Sequence, residues 1–399
     1  MATPSTLTTL RSALAASWVV MAVFILSNAA TPLYAHWQTQ MGFTAGTLTV
    51  IFSTYILGLL LTLAFAGQVA DHYGRRAVLL PCLCLAAIAA VMFIGASHVA
   101  TLLAARILTG IAVGLVVAAG MANVVERAPE SRKSSASLLA SVAMVTGAGT
   151  GPLLAGLIAQ YSESPVALTF GLELLLLALA LPVVLRLPSG RLGDGRFRPR
   201  LPAIPRQYLA TVAIGVGFFG PGITATSFVL SLGPKVLDTL LHAHNPLVTG
   251  LMAFAMFMSA VAVQFAARNL PSQRLFLASA LATGGAMLCV VLAMMHGSAA
   301  LMVVCALAAG AGQGLGQLGG LRLIALHLPV NRRAEANALF NMAGYVPAGA
   351  LPVVAGYLVD AQGLNRAILV LAGLIGGLVV MGLIALFTSA ADTRQTDAG

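Results

Sequence analysis

Two charged residues lie deep inside otherwise apolar stretches of the sequence. Glu173 is about eight residues into the run 165–186, and Arg106 is about six residues into the run 100–125, in segments long enough to cross a bilayer. A carboxylate in a low-dielectric place can bind and release a proton, and a buried arginine must face protein, water or a lipid headgroup. We therefore take Glu173 and Arg106 as candidate proton-coupling residues. Arg106 also suits the binding of a carboxylate group, unless it extends to the membrane surface.

The same apolar runs contain little other chemistry. No run pairs a nucleophile with a base, no phosphate-binding loop is present, and Asp and His do not recur at zinc-ligand spacing. We therefore expect no enzyme activity, no cofactor and no resident metal. The methionine pair Met252 and Met256, with Met294, Met295 and His296, leaves a soft-metal (copper) route as a minor alternative to ordinary core packing.

The composition identifies the class of protein. Hydrophobic residues make up 59% of the 399 residues, charged residues only 8%, and the mean hydropathy is +0.96, whereas soluble domains carry about 25% charged residues. The net charge of +10 is scattered along the chain, which argues against nucleic-acid binding. We expect an all-α integral membrane protein with twelve transmembrane helices. The predicted spans are 13–35, 46–69, 77–97, 100–125, 135–160, 165–186, 208–233, 246–267, 275–295, 299–326, 335–359 and 366–388.

The basic residues predict the orientation. Of the 21 lysines and arginines, Arg106 and Arg322 lie in spans, and only Lys235 and Arg366 fall in the loops opposite the termini. The other seventeen share the side of the termini. By the positive-inside rule this places both termini in the cytoplasm of a multi-pass protein of a bacterial-type inner membrane.

The chain also repeats itself. A Pro-, Gly- and Arg-rich stretch, 187–207, predicts a cytoplasmic linker between an N-terminal six-helix bundle, 1–186, and a C-terminal one, 208–399. An ungapped offset of 200 residues aligns glycines, prolines and an arginine of the two halves: Gly110 with Gly310, Gly114 with Gly314, Pro129 with Pro329, Arg132 with Arg332, Pro152 with Pro352 and Gly156 with Gly356. Two pseudo-symmetric six-helix halves are a transporter architecture, with the substrate site near the midplane.

The loop expected after the second span carries a specific motif. It reads Gly67-Gln68-Val69-Ala70-Asp71-His72-Tyr73-Gly74-Arg75-Arg76, and this resembles the G-x-x-x-D-x-x-G-R-R signature of the major facilitator superfamily. The resemblance implies that Gly67 and Gly74 allow a tight turn and that Asp71 forms a gate-side charge lock with Arg75 and Arg76. A positive-inside anchor with an incidental aspartate is the alternative. The equivalent stretch of the second half, 269–274, lacks the acid and the glycines.

A second motif lies in the fifth span. Gly147, Gly151, Pro152 and Gly156 resemble the G-x-x-x-G-P-x-x-G-G motif of the drug and metabolite:proton antiporter branch, with Ala155 as the single departure. Proline and glycine favour a helix bend at a defined place, and the resemblance implies export. Close packing through small residues is the alternative. Arg106, Gly110 and Gly114 in the fourth span resemble a further motif of the superfamily, in which an arginine within the helix serves in proton transfer or stabilises a charged partner.

The polar residues of the spans expected to line the cavity suggest a substrate class. Asn28, Thr31, Arg106, Gln313 and Gln317 are the candidate substrate-binding residues, although the amides can equally bond between helices. A cavity poor in acids favours a neutral, amphipathic or anionic small molecule. We expect a monomeric secondary active transporter that couples efflux of small organic molecules to the proton gradient by alternating access. Proton-driven uptake of a small organic anion is the main alternative, and a lipid scramblase or membrane enzyme would be a different class.

Overall fold

The computed structural model describes residues 6–129, 132–188 and 201–396, and these are helical with no strand. Sixteen α-helices follow one another along this part of the chain. They are α1 Thr6–Ala29, α2 Tyr34–Met41, α3 Ala45–Leu63, α4 Ala66–Tyr73, α5 Arg75–Ile94, α6 Val99–Leu115, α7 Met121–Glu126, α8 Lys133–Tyr161, α9 Pro165–Leu185, α10 Leu209–Ser231, α11 Gly233–Leu241, α12 Pro246–Ala266, α13 Ser272–His296, α14 Ala299–His327, α15 Val330–Gln362 and α16 Leu364–Thr396.

Twelve segments of the described chain are long and apolar enough to cross a membrane, which confirms the expected all-α membrane fold. They are Arg11–Met41, Ala45–Leu63, Arg75–Ile94, Val99–Glu126, Ser135–Tyr161, Pro165–Leu185, Arg206–Ser231, Pro246–Ala266, Ser272–His296, Ala299–His327, Val330–Gln362 and Leu364–Thr388. Most of the linker expected at 187–207, namely 189–200, lies outside the described residues.

The second span is shorter than expected. We predicted 46–69, but α3 ends at Leu63 and a separate helix, α4, begins at Ala66. Because Gln68, Asp71 and His72 are polar, this stretch does not continue the apolar span. The motif from Gly67 to Tyr73 therefore lies on a short helix, and the expectation of a loop there was wrong.

The fourth span is built from three pieces. Helix α6 passes into a π-helical segment, Val116–Gly120, which is followed by α7. A π-helical turn adds a residue to the helical repeat and is found frequently at functional sites. It begins six residues after Gly110 and ten residues after Arg106.

One compact unit comprises Met1–Phe43, Thr54–Leu201 and Pro246–Phe254. Within it α1 packs mainly on α8 and α9, and α5 packs on α6 and α9. The rings of Trp37, Phe93 and Phe170 stack with centroid distances of 4.5–6.1 Å, and all three side chains are fully buried. Such aromatic stacks give the helix bundle a defined packing.

The other compact unit comprises Thr44–Ser53, Pro202–Asn245 and Ala255–Gly399. Helix α10 packs on α14 and α15, and α13 packs on α14. Stacked pairs fix the contacts of α10: Phe218 with Phe276 at 4.7 Å and Phe219 with Phe340 at 4.9 Å between centroids.

The division into units does not follow the order of the chain. The first part of α3 belongs to the unit that holds most of the second half, and the first part of α12 belongs to the unit that holds most of the first half. Helices α3 and α12 are equivalent members of the internal repeat, the second span of each half. In each half of the chain, the beginning of the second span therefore belongs to the compact unit that holds most of the opposite half.

Candidate functional site

Glu173 lies on α9 in a small, nearly apolar cavity. The residue is 1% exposed, and neither carboxyl oxygen has a hydrogen-bond partner within the described chain. The cavity has a volume of about 10 Å³, which is about the space that one water molecule needs. It is lined by α1, α8 and α9, through Ile25, Ala29, Gly151, Leu154, Ile158, Thr169, Leu172, Glu173 and Leu176.

The position of Glu173 follows from the buried face of α9. The buried residues of this helix after Pro165 are Thr169, Phe170, Glu173, Leu177, Ala180 and Val184, which recur three or four residues apart and form one stripe. Thr169 lies one turn before Glu173, and its hydroxyl is also buried without a partner in the described residues. The side chains of Thr169 and Glu173 thus line one apolar cavity, and none of the described residues donates a hydrogen bond to their oxygens or accepts one from them.

The glycines of the fifth-span motif bring α8 against α1. A Cβ atom added at Gly147 would lie 2.6 Å from the carbonyl oxygen of Met21, and one at Gly151 would overlap the carbonyl of Ile25. Only glycine permits this approach. Gly156 makes the same kind of contact with the carbonyl of Pro246 on α12. The structure therefore brings Gly151 and Glu173, which were predicted from separate patterns, to the same cavity.

Pro152 lies inside α8, which runs unbroken from Lys133 to Tyr161. Because proline has no N–H group, it cannot donate the hydrogen bond that would otherwise join it to residue 148. The weakened backbone ladder lies directly beside the Glu173 cavity, at the turn where α8 touches α1.

Arg106 faces protein and does not extend to the surface. Its side chain is 1% exposed, Nη1 donates a hydrogen bond to the carbonyl oxygen of Ser27 at 2.7 Å, and the guanidinium carbon lies 4.7 Å from the centroid of the Tyr55 ring. Asn28 is also buried and donates to the Ser27 hydroxyl at 3.1 Å. Arg106 and Asn28 therefore both contact Ser27 near the end of α1, and Thr31 is buried just beyond in a short 3₁₀ turn.

The residues of the first motif form an ion cluster centred on Arg75. Arg75 Nη2 lies 2.9 Å from Asp71 Oδ1 and 2.8 Å from Glu126 Oε1, and its Nε also faces the Glu126 carboxylate. Arg76 Nη1 donates to the carbonyl oxygen of Leu187 at 3.4 Å. Gly74 has φ of 88° and separates α4 from α5, which requires glycine. Gly67 has open space where a Cβ would lie.

Glu126, which is not among the candidate residues predicted from the sequence, is a member of this cluster. It ends α7, 51 residues beyond Arg75. The signal in the sequence was an acidic residue among cytoplasmic arginines at the end of a span. The ion cluster around Arg75 thus contains a second acid, Glu126, in addition to Asp71.

Comparison with known proteins agrees with this architecture. The family model described as Major Facilitator Superfamily matches residues 16–288, more than half of the chain. The chain belongs to the major facilitator superfamily. The family consists of multi-pass integral membrane transporters rather than enzymes, and the twelve membrane-spanning helices of the described chain agree with this. Secondary active transport by alternating access fits the family.

Among relatives of this superfamily member, an uncharacterized MFS-type transporter, YhjO, of Bacillus subtilis (strain 168) is 32% identical over 134 residues, 34% of this chain and 32% of that protein. An uncharacterized transporter of Rickettsia bellii (strain RML369-C) is 32% identical over 153 residues, 37% of each chain. The chain thus matches about a third of the length of each of these relatives.

Two solved structures share the fold. The nucleoside transporter NupG superposes with a TM-score of 0.75 at 13% identity, covering 94% of this chain and 99% of that one. A bacterial homolog to the human lysosomal transporter Spinster, in an inward-facing and unoccupied conformation, has a TM-score of 0.75 at 11% identity and covers 96% and 97%.

The two candidate glutamines of this superfamily member have different surroundings. Gln317 Oε1 accepts a hydrogen bond of 3.4 Å from Gln264 Nε2, which also donates to the carbonyl of Gly314. Gln313 Oε1 is buried without a partner in the described chain. Gln317 thus joins α14 to α12, whereas Gln313 retains a free acceptor. Both belong to the unit that does not contain Arg106 and Asn28.

In the second half of this superfamily member, the loop equivalent to the first motif is held in a different way. Arg322, near the end of α14, donates through Nη1 to the carbonyl oxygens of Leu270 at 2.6 Å and Arg268 at 3.3 Å. An arginine on the span thus holds the backbone of the loop after α12. This explains how the loop is fixed although the acid and glycines of the motif are absent.

An imidazole–carboxylate pair lies outside the spans and gives a pH prediction. His244 Nδ1 is 2.9 Å from Asp238 Oδ2, and this hydrogen bond raises the pKa of His244. Because the folded-state pKa is raised, the pair stabilises the fold below the unfolded pKa of about 6.5, and the stabilisation is lost as the pH rises through the folded pKa. Thermal unfolding of purified protein should show a melting temperature lower by about one to two degrees at the alkaline end of this range.

The variant His244→Asn should remove that part of the pH dependence. His242→Asn is the matched control, because His242 lacks an acidic partner among the described residues and has φ of 52°, which asparagine tolerates well. An unchanged pH profile in His244→Asn would contradict the assignment.

Proposed function

We propose that this protein is a proton-coupled exporter of small organic molecules in a bacterial-type inner membrane, with both termini in the cytoplasm. The observation that carries the proposal is the buried, unpartnered carboxyl group of Glu173 beside Gly151. A charged carboxylate without a partner is strongly disfavoured at such a site. Glu173 therefore holds a proton in this conformation and releases it only when its surroundings change.

The surroundings of Glu173 are suited to such a change. Its cavity lies where α8 touches α1, beside the helix turn weakened by Pro152. A shift of α8 against α1 would open the cavity to water or bring a polar group to the carboxylate, and either event lowers the cost of the charged form. Proton release is thereby linked to helix movement, which is what a proton-driven cycle requires.

The substrate site is proposed around Arg106 in the first unit. The buried Arg106 guanidinium contacts Ser27, as Asn28 does, and a buried guanidinium can bind a carboxylate or another anionic group. Thr31 belongs to the same proposed set. In the other unit, Gln313, whose Oε1 has no partner among the described residues, and Gln317 are also proposed as substrate-binding residues. We propose a neutral, amphipathic or anionic substrate.

The Asp71–Arg75–Glu126 cluster, with Arg76, is the proposed cytoplasmic gate. Ion pairs that form in one conformation and break in the other bias a two-state cycle toward the state that contains them. The protein is proposed to work as a monomer, since each chain has all the elements named above.

Reconstituted vesicles test the proposed coupling. Purified protein is first screened for compounds that raise its melting temperature, because a ligand of the native state stabilises it. A labelled hit is then followed in vesicles with an imposed pH gradient and a pH-sensitive dye. We expect substrate movement in one direction and proton movement in the other. Movement of the two in the same direction would support proton-driven uptake of an organic anion, which the buried Arg106 also favours, and movement independent of the pH gradient would contradict proton coupling.

A further inference from the structure

Asp360, near the end of α15, binds the beginning of a helix more than 300 residues away in the chain. Its carboxylate accepts a hydrogen bond from the backbone N–H of Ala45 at 3.0 Å and another from that of Gly46 at 2.8 Å. These are the first two residues of α3, whose N–H groups have no acceptor within their own helix. A carboxylate at this position also interacts favourably with the positive end of the helix dipole.

The contact with Asp360 is the end of a longer seam between α3 and α15. A Cβ atom at Gly46 would lie 2.7 Å from the Tyr357 ring and 2.8 Å from Asp360 Oδ2. One turn further, Gly356 packs against the fully buried Thr49. Beyond that, the Ser53 hydroxyl donates to the carbonyl of Gly349 at 2.8 Å. Both helix segments of this α3–α15 seam belong to one compact unit.

The internal repeat supplies an uncharged counterpart. In the other unit the end of α8 packs on the beginning of α12, where Gly156 contacts the carbonyl of Pro246 and Gly250 contacts that of Pro152. The residue equivalent to Asp360 in that seam is Gln160. The glycine packing is thus common to both seams, but a carboxylate cap is found in the α3–α15 seam alone of the two.

We propose that Asp360 is a positioning residue of the transport cycle, a latch that holds α3 against α15 on the side of the membrane opposite the termini. The two helices come from opposite halves of the chain, and alternating access requires such helix ends to separate when that side opens. Contacts between glycines are short-ranged and have no preferred direction. The two hydrogen bonds from Ala45 and Gly46 to Asp360 are directional, and they therefore fix one position of α3 along α15. The proposal depends on alternating access and not on proton coupling or on the direction of transport.

The test measures how often the seam opens. Thr49 is replaced by cysteine, because it is fully buried at the centre of the seam, and Cys84, Cys289 and Cys305 are replaced by alanine. Cys82 is kept as an internal control, because it is fully buried in the other unit and becomes reactive only when the protein unfolds. In purified protein, Asp360→Asn should increase the maleimide labelling rate of Thr49→Cys about tenfold, which corresponds to roughly 1.4 kcal/mol, and leave Cys82 unlabelled.

Two further variants make the result specific. Glu163→Gln removes an exposed carboxylate from the same side of the membrane and should leave labelling unchanged. Gly46→Ala forces the seam apart sterically and should increase labelling of Thr49→Cys in the same way, even if Asp360→Asn does not fold. An unchanged labelling rate in Asp360→Asn, or an equal rise at Cys82, would overturn the proposal, because the carboxylate would then have no effect on the seam or only a general effect on stability.

Discussion

Glu173→Leu is expected to abolish proton-coupled transport and at the same time to raise the melting temperature. The carboxyl group is buried without a hydrogen-bond partner in the described chain, and an unsatisfied buried polar group costs on the order of 1–3 kcal/mol. Leucine removes that cost and packs against Ile25, Leu172 and Leu176 in the small cavity. We expect a rise in melting temperature of about 2–4 °C together with a loss of transport of at least about a hundredfold, as for loss of an essential proton carrier.

A second substitution separates the two effects. Glu173→Gln imitates the protonated side chain and cannot release a proton, so we expect net transport driven by a pH gradient to be lost while exchange of substrate for substrate continues. Glu163→Gln, at an exposed acid, is the matched control and should transport normally. If Glu173→Leu were less stable than the natural protein and still coupled, Glu173 would have a structural partner and the proposed proton site would be wrong.

The sequence predicted the twelve spans because the hydrophobic effect acts on whole segments, and a run of about 20 apolar residues between charged loops needs no tertiary information. The direction in which a single side chain points cannot be predicted in this way. Helix α9 is apolar around most of its circumference, so its pattern does not show which face is buried. Only the packing of α9 on α1 and α8 reveals that Glu173 points inward and that its cavity includes Gly151.

The contacts that were missed join residues far apart in the chain. The ion pair between Arg75 and Glu126 and the cap from Asp360 to Gly46 both depend on how helices pack, and no local spacing encodes them. The short helix α4 was missed for another reason. Gly67 and Gly74 favoured a turn, and local propensity alone does not predict the helix that the structure has at Ala66–Tyr73.

Arg75→Ala is expected to reduce transport far more than Asp71→Asn. Asp71 is 72% exposed and pairs with Arg75 only across one turn, and such surface pairs contribute about 0.3–0.5 kcal/mol. Arg75 is 20% exposed, and it also holds the Glu126 carboxylate at the end of α7 through two nitrogens. Its loss leaves two acids facing each other. We expect transport by Arg75→Ala to fall at least about tenfold, and that by Asp71→Asn about twofold, as the ratio of these interaction energies indicates.

Transport assays in vesicles, corrected for the amount of protein, measure this difference. Arg332→Ala is the matched control, because Arg332 forms an exposed pair with Glu335 on the same side of the membrane and its removal equally reduces the positive charge there. The charge exchange Arg75→Glu with Glu126→Arg should recover part of the lost transport if the pair itself matters, since the two charges would again face each other. Equal losses in Arg75→Ala and Arg332→Ala, with no recovery by the exchange, would mean that these arginines only orient the chain by the positive-inside rule, and the gate would have to be sought elsewhere.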